Sequence, residues 1–495
     1  TSSAPADPLR SVSPGNRDER QDTPLRTASP GYREKRQDTP QISPFRAICP
    51  GYREKRCWGS GENGGVSDDD RLIEAAEMRA RRLLVTSLAD TSRAERAASR
   101  RLARLLADPL GRDLLLVLTD RVMRIRDPRR AAVALRDLVS CAVPRSLSAF
   151  DRFGLAVLGR SAPAMPRIAD RLVDWRVGKD TTGVVLPAED PQFAEYVRRR
   201  TAEGFRLNVN VLGEAILGDD EADARCRAVI NRIQRPDVDY VSVKISAICA
   251  NLDVLAEDDS LRRIQERLRS IYRAARDARP PAFVNLDMEE YRDLELSVAA
   301  FTSVLDEAEF DGFDAGIVLQ AYIPDSHAVL EHLCAWANDR HARTGAGIKI
   351  RLVKGANLAM EQVEAELHGW EQAPYPTKAD VDASFKAMLD TALRLGRPGA
   401  VRIGVASHNL FDVAWALTLR DALVDPGRIE IEMLEGMAAP QSRAVRGDAG
   451  SLLLYAPIVS ERERDASIAY LSRRLDENAA PENFLNALFD LAPDT

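Results

Sequence analysis

Eight short runs rich in β-branched residues alternate with amphipathic helices between residues 205 and 458, and this alternation limits the possible folds most. The runs are FRLNVNVL (205–212), DYVSVKIS (239–246), AFVNLDM (282–288), AGIVLQAYI (315–323), IKIRLVKG (348–355), VRIGVAS (401–407), RIEIEML (428–434) and LLLYAPI (452–458). The segments between them have helical spacing, for example SLRRIQERLRSIYRAAR (260–276) and DSHAVLEHLCAWANDRHA (325–342). Strand–helix alternation forces parallel pairing through right-handed crossovers. Eight such units predict a closed (β/α)₈ barrel, an α/β TIM barrel. An open doubly wound sheet would need a Gly-rich phosphate turn after an early strand, and NVLGEAILG (210–218) lacks that spacing.

The sequence before the barrel divides in two. Residues 67–180 carry apolar residues at three- and four-residue spacing, punctuated by Pro109, Pro128, Pro144, Pro163 and Pro166. They predict a helical arm, taken as residues 67–200, packed against a barrel spanning 201–480. Residues 1–66 hold a repeat, SPGNRDERQDTP (13–24), SPGYREKRQDTP (29–40) and CPGYREKRCW (49–58), with almost no apolar face. Such a Pro/Arg-rich segment cannot offset its chain entropy by burial, and a disordered tail is expected.

Composition excludes several classes. A net charge of −7 gives no general attraction to nucleic acid. The six cysteines, Cys49, Cys57, Cys141, Cys226, Cys249 and Cys334, show no metal or redox spacing. The five histidines form no HxxxH pair, and His327 and His332 stand in the wrong register on one helix, so no metal site is expected. No secretion signal opens the chain, and a cytoplasmic location is expected.

Working groups of a (β/α)₈ barrel sit at the C-terminal ends of its strands. Those ends carry Glu214, Lys244, Asp287, Gln320, Arg351 with Lys354, His408, Glu432 with Glu435, and Tyr455. The helical stretch SIAYLSRRLDEN (467–478) adds Tyr470, Arg473, Arg474 and Glu477 on one broad face. Lys244, Arg351, Lys354, Arg473 and Arg474 outnumber the obvious acids, which predicts an anionic, planar ligand such as a carboxylate. With neither metal nor nucleophile, a reaction carried by a cofactor is expected.

The motifs YVSVKISAI, FVNLDMEEYRDLELS, GIVLQAYIPDS, KIRLVKGAN, Thr377–Lys378, VASHN and AYLSRRLDEN resemble, in order, those of the proline dehydrogenase family. LTDRVMRIRDP (118–128) resembles the arm of the bifunctional proline utilization A proteins, and residues 479–495 resemble the start of their linker, here 481–495. The resemblance implies a distorted barrel that binds FAD and oxidises L-proline to 1-pyrroline-5-carboxylate. It implies a quinone acceptor, and with it peripheral contact with the inner face of the membrane. It assigns the substrate carboxylate to Lys244, Arg473 and Arg474, and the walls around the proline ring to Tyr455, Tyr470 and Leu434. Asp287, Arg351 and Lys244 take catalytic roles, and Gln320, Arg351, Lys354, Lys378, His408, Asn409 and Glu477 contact the flavin. Two features depart from the pattern. Asn357 and Leu358 follow Ala356 where many bifunctional members have an aromatic pair, and residues 1–66 show no ribbon-helix-helix segment for DNA. Two rivals remain at this point: a flavin barrel for another cyclic amine such as hydroxyproline, and a non-catalytic barrel used for binding. No cysteine follows Cys334, so these 495 residues are expected not to carry NAD-dependent aldehyde oxidation.

Overall fold

The computed structural model describes residues 68–125, 127–141, 143–169, 171–173, 184–213, 216, 218–460, 466–467, 470 and 474. The repeat tail, the linker start, and Glu214, Arg473 and Glu477 lie outside the described residues.

Each of the eight runs contains one strand. They are β1 Arg206–Val211, β2 Tyr240–Lys244, β3 Phe283–Asp287, β4 Ala315–Gln320, β5 Ile348–Val353, β6 Val401–Ala406, β7 Ile429–Leu434 and β8 Leu453–Val459. Every strand pairs in parallel with the next, and β8 returns to β1 in register from Arg206↔Leu453 to Val211↔Ile458, closing a barrel with helices around it. A two-residue strand, Leu186–Pro187, extends the end of β8. The outer helices form because their apolar residues recur at helical spacing. In Glu257–Asp277 the buried apolar residues are Ile264, Leu268, Ile271, Tyr272 and Ala275, one stripe turned toward the sheet.

Most of the described part of the predicted arm is helical, including Asp68–Asp90, Arg93–Ala107, Pro109–Val117, Pro128–Cys141, Ala149–Ser161 and the start of Gln192–Ala202, while Leu186–Pro187 within its bounds is the short strand beside β8. Pro109 and Pro128 occupy first helical positions, where a missing N–H costs nothing. The first helix buries Ala76, Ala80 and Leu83 against Leu410–Asp421 and Ala439–Ala449, the helices that follow β6 and β7. Arg79 fastens it by pairing with Asp421 at 2.6 Å and Asp448 at 2.5 Å. A capping box of Ser92 and Glu95 starts the second helix, and Arg443 reaches Glu95 at 2.9 Å.

Candidate functional site

Parallel barrel strands are covered by helices outside, so polar residues that recur every second position in a strand must point into the barrel. Contacts between strands that are not neighbours confirm this direction. Asp287 at the end of β3 meets Arg351 of β5 (Oδ1–Nη1 3.3 Å) and accepts a hydrogen bond from Tyr455 of β8 (Oδ2, 2.8 Å). Its Oδ1 also accepts from Ser242 Oγ at 3.1 Å and Asn285 Nδ2 at 2.9 Å. Asn208 extends the row by donating to Ser242 at 3.0 Å, and Asn210 donates to the Tyr455 hydroxyl. Asp287 thus gathers two hydroxyls, an amide and a guanidinium in a buried place. The Arg351 guanidinium carbon stands 4.7 Å from the centre of the Tyr455 ring. Burial, then the charge of Asp287, pushes the Tyr455 phenol well above its ordinary value, so it serves as a neutral donor.

Other predicted residues follow the strand ends around the barrel. Lys244, at the end of β2, pairs with Glu289, whose other oxygen accepts from Ser246. Gln320 ends β4 and donates to the Glu289 carbonyl at 3.1 Å. Asn357 donates to that same carbonyl at 2.8 Å, so the residue that departs from the family pattern ties the segment after β5 to the segment after β3. Leu358 instead begins the next helix, 44% exposed. Tyr470 is buried, with the Arg474 guanidinium 4.9 Å from its ring centre. Tyr470 contributes to the upward shift of Tyr455, and Arg474 to the downward shift of His408, so these two side chains lie within electrostatic reach of β8 and of the residue that follows β6. Leu434 ends β7 beside Tyr455, its partner in register.

His408 follows β6, and its Nε2 accepts the Leu434 N–H at 2.9 Å. That bond requires the neutral ring to carry its proton on Nδ1, a buried donor without a hydrogen-bond partner among the described residues. Burial, with help from Arg474, pushes its pKa down to about 4. A base with a depressed folded pKa stabilises the fold fully above its unfolded pKa, near 6.5, and progressively less as pH falls toward 4. The loss attributable to this side chain is about 3 kcal/mol by pH 4. We expect His408→Gln to flatten the fall in melting temperature between pH 6.5 and pH 4 relative to the parent, measured by calorimetry. Parallel pH profiles would rule this out.

Several expectations change. Arg351, Glu432 and Tyr455 lie within strands, facing inward, rather than at strand ends. Glu435 turns away to pair with Arg200 at 2.9 Å. Asn409 spends its side-chain oxygen on the N–H of Phe411, capping the helix that follows. The predicted excess of cations is largely neutralised. Arg351 has Asp287 and Glu432, Lys244 has Glu289, Lys354 has Asp382 at 2.5 Å and Asp412 at 2.6 Å, and Lys378 has Asp382 at 2.6 Å. Lys386 completes that row with Asp412 at 3.0 Å. Reading the strand ends missed Asp382 and Asp412 because they lie one or two turns into the helices Lys378–Leu395 and Leu410–Asp421. The spacing of Lys378, Asp382 and Lys386, four residues apart, was the available signal.

The sequence pattern described as proline dehydrogenase matches residues 193–487. The bifunctional protein PutA of Escherichia coli (strain K12) is 30% identical over 311 residues, 59% of this chain and 23% of that protein. Hydroxyproline dehydrogenase of Rattus norvegicus is 31% identical over 223 residues, 43% of this chain and 47% of that one. The solved structure of proline utilization A from Corynebacterium freiburgense is 45% identical, with a TM-score of 0.59, over 67% of this chain and 34% of its own. The chain therefore spans less than half the length of each of these relatives.

Proposed function

The chain belongs to the proline dehydrogenase family, and from that premise we propose that it oxidises L-proline to 1-pyrroline-5-carboxylate with bound FAD and a quinone as final acceptor. The observation that carries this reading is the cluster of Asp287, Arg351 and Tyr455, with Lys244 in register beside Asp287 and Arg474 against the buried Tyr470 ring. The residues fit a flavin. His408 offers a buried Nδ1–H with no described partner, Gln320 a buried amide, and Arg351 a fixed cation, and a flavin edge is lined with acceptors. Those three, with Lys378 and Asn409, and with Glu477 by resemblance, would hold the cofactor. Lys354 stands with them, its charge shared between two carboxylates. When bound, FAD supplies the two-electron acceptor for oxidation of the substrate's C–N bond.

The protein's own groups do the rest. Arg474 and Lys244, with Arg473, bind the carboxylate, and Arg474's planar fork suits two oxygens. Tyr455, Tyr470 and Leu434 wall the ring and exclude water. Asp287 does not need to touch the substrate to matter, because it orients both the Tyr455 hydroxyl and the Arg351 guanidinium. No helix among the described residues is long and apolar enough to cross a membrane.

The rat relative supports a second reading, hydroxyproline as substrate, since one carboxylate clamp serves both. The test is a visible spectrum. We expect a yellow preparation whose flavin band bleaches anaerobically with L-proline, and a higher kcat/KM for proline than for hydroxyproline. A preparation that stays colourless with added FAD would sink the enzyme reading in favour of a binding barrel, and the reverse kinetic preference would favour the second substrate.

A further inference from the structure

Behind Arg351 the barrel interior carries a row of alternating charges that the function proposed above leaves unused. Arg351 Nε lies 2.9 Å from Glu432 Oε2, and Glu432 Oε1 lies 2.5 Å from Lys349 Nζ. Lys349 also pairs with Glu430, which reaches Arg206 at 2.8 Å at the start of β1. The row crosses between β5 and β7 and runs from the mouth toward the barrel floor. Lys349 and Glu432 are 3% and 1% exposed. The Arg351–Glu432 approach is an ion pair by distance rather than an aligned hydrogen bond, so its main effect is one of charge.

The sequence makes room for this pair. Gly404 of β6 faces it, and a Cβ there would stand 2.2 Å from Glu432 Oε1 and 2.7 Å from Lys349 Cε. Those are distances no side chain could occupy without displacing the ions. Apolar residues would fill the same volume at equal or better stability, so stability alone does not account for a buried ion pair. Its position does suggest a role, because Glu432 meets the guanidinium at Nε while Asp287 meets it at Nη1.

We propose that Glu432 is a positioning residue for Arg351. It fixes the guanidinium between two carboxylates and offsets part of its charge, while Lys349 offsets Glu432 in turn. The row thereby sets how strongly Arg351 favours reduced over oxidised flavin. The inference rests on the reading that FAD lies against Arg351. Burial disfavours both cations, yet Glu432 and its neighbours hold Lys349 and Arg351 above their ordinary values, so both cations keep their charge at neutral pH.

The test is the midpoint potential of FAD bound to the full chain, measured by dye equilibration in Glu432→Gln, Lys349→Met and the double variant. Removing the negative charge next to Arg351 should raise the potential. An about tenfold gain in relative affinity for reduced flavin reads as about 30 mV for a two-electron couple. Lys349→Met leaves Glu432 uncompensated and should lower the potential. The double variant keeps the interior neutral and guards against a single variant that fails to fold. Because Glu432 is nearer to Arg351 than Lys349 is, its potential should rise, by less than in Glu432→Gln. Potentials unmoved in FAD-loaded double variant, or single-variant shifts of the same sign, would overturn the proposal and leave the row a packing feature. A parent chain that binds no FAD would instead overturn the flavin reading itself, so the two failures are distinguishable.

Discussion

Asp287→Ala should cut turnover by about 10²–10³-fold. The carboxylate accepts from Ser242, Asn285 and Tyr455 and pairs with Arg351, all of them buried. Breaking one partner from a buried ion pair costs about 3–5 kcal/mol, and each 1.36 kcal/mol placed on the barrier is tenfold in rate. Part of that cost will fall on folding, so kcat and melting temperature are to be measured on the same preparation. The loss should appear in kcat, with a changed flavin spectrum, because both Arg351 and the Tyr455 hydroxyl lose the group that aims them. Asp287→Asn gives a useful intermediate. It keeps one acceptor oxygen but turns an N–H₂ toward groups that are themselves donors. Near-normal turnover in the alanine variant would show that the Tyr455–Arg351 geometry is held by other means.

Arg474→Met should raise the KM for proline by about 30-fold to a few thousand-fold while leaving FAD bound. The guanidinium lies against the buried Tyr470 ring, in a place where its field reaches the buried His408. Truncating one member of a desolvated charge pair costs about 2–5 kcal/mol. A partial recovery is expected in Arg474→Lys, which keeps the charge and loses the planar fork. Steady-state kinetics on the three proteins check this, and an unchanged KM in the methionine variant would remove Arg474 from the carboxylate clamp.

The barrel was legible because strand–helix alternation is a strong signal and the eight runs are rich in Val, Ile and Leu. The polar interior was legible only in part. Asp287 and Gln320 end their strands, where reading strand ends finds them. Lys349 and Glu430 were overlooked, yet their strands carry a readable pattern. KIRL and EIEM alternate charged and apolar residues, which in an isolated strand signals a solvent-facing side. Once a closed parallel barrel is inferred, helices cover the outside, and the charged face must point into the interior. The acids that neutralise Lys354 and Lys378 were missed for a different reason: Asp382 and Asp412 sit on helices, and only tertiary packing brings them to the end of β5. The expected excess of positive charge shrinks at Lys354 and Lys378 for that reason, because their counter-charges were sought only along the strand ends.

The helix Asp68–Asp90 bears on how the molecule comes apart. It is bound through Arg79 to Asp421 and Asp448, while Arg443 returns to Glu95 just beyond it. Asp421 ends the helix after β6, and Arg443 and Asp448 lie on the helix after β7. A segment far away in sequence therefore splints two neighbouring barrel units, those carrying His408 and Leu434. Contacts of this kind, made between distant stretches of chain, merge local melting events into one. Heat absorption by the splint and by the barrel should then coincide in a single endotherm, and hydrogen exchange in the two neighbouring helices should slow to the rate of global opening.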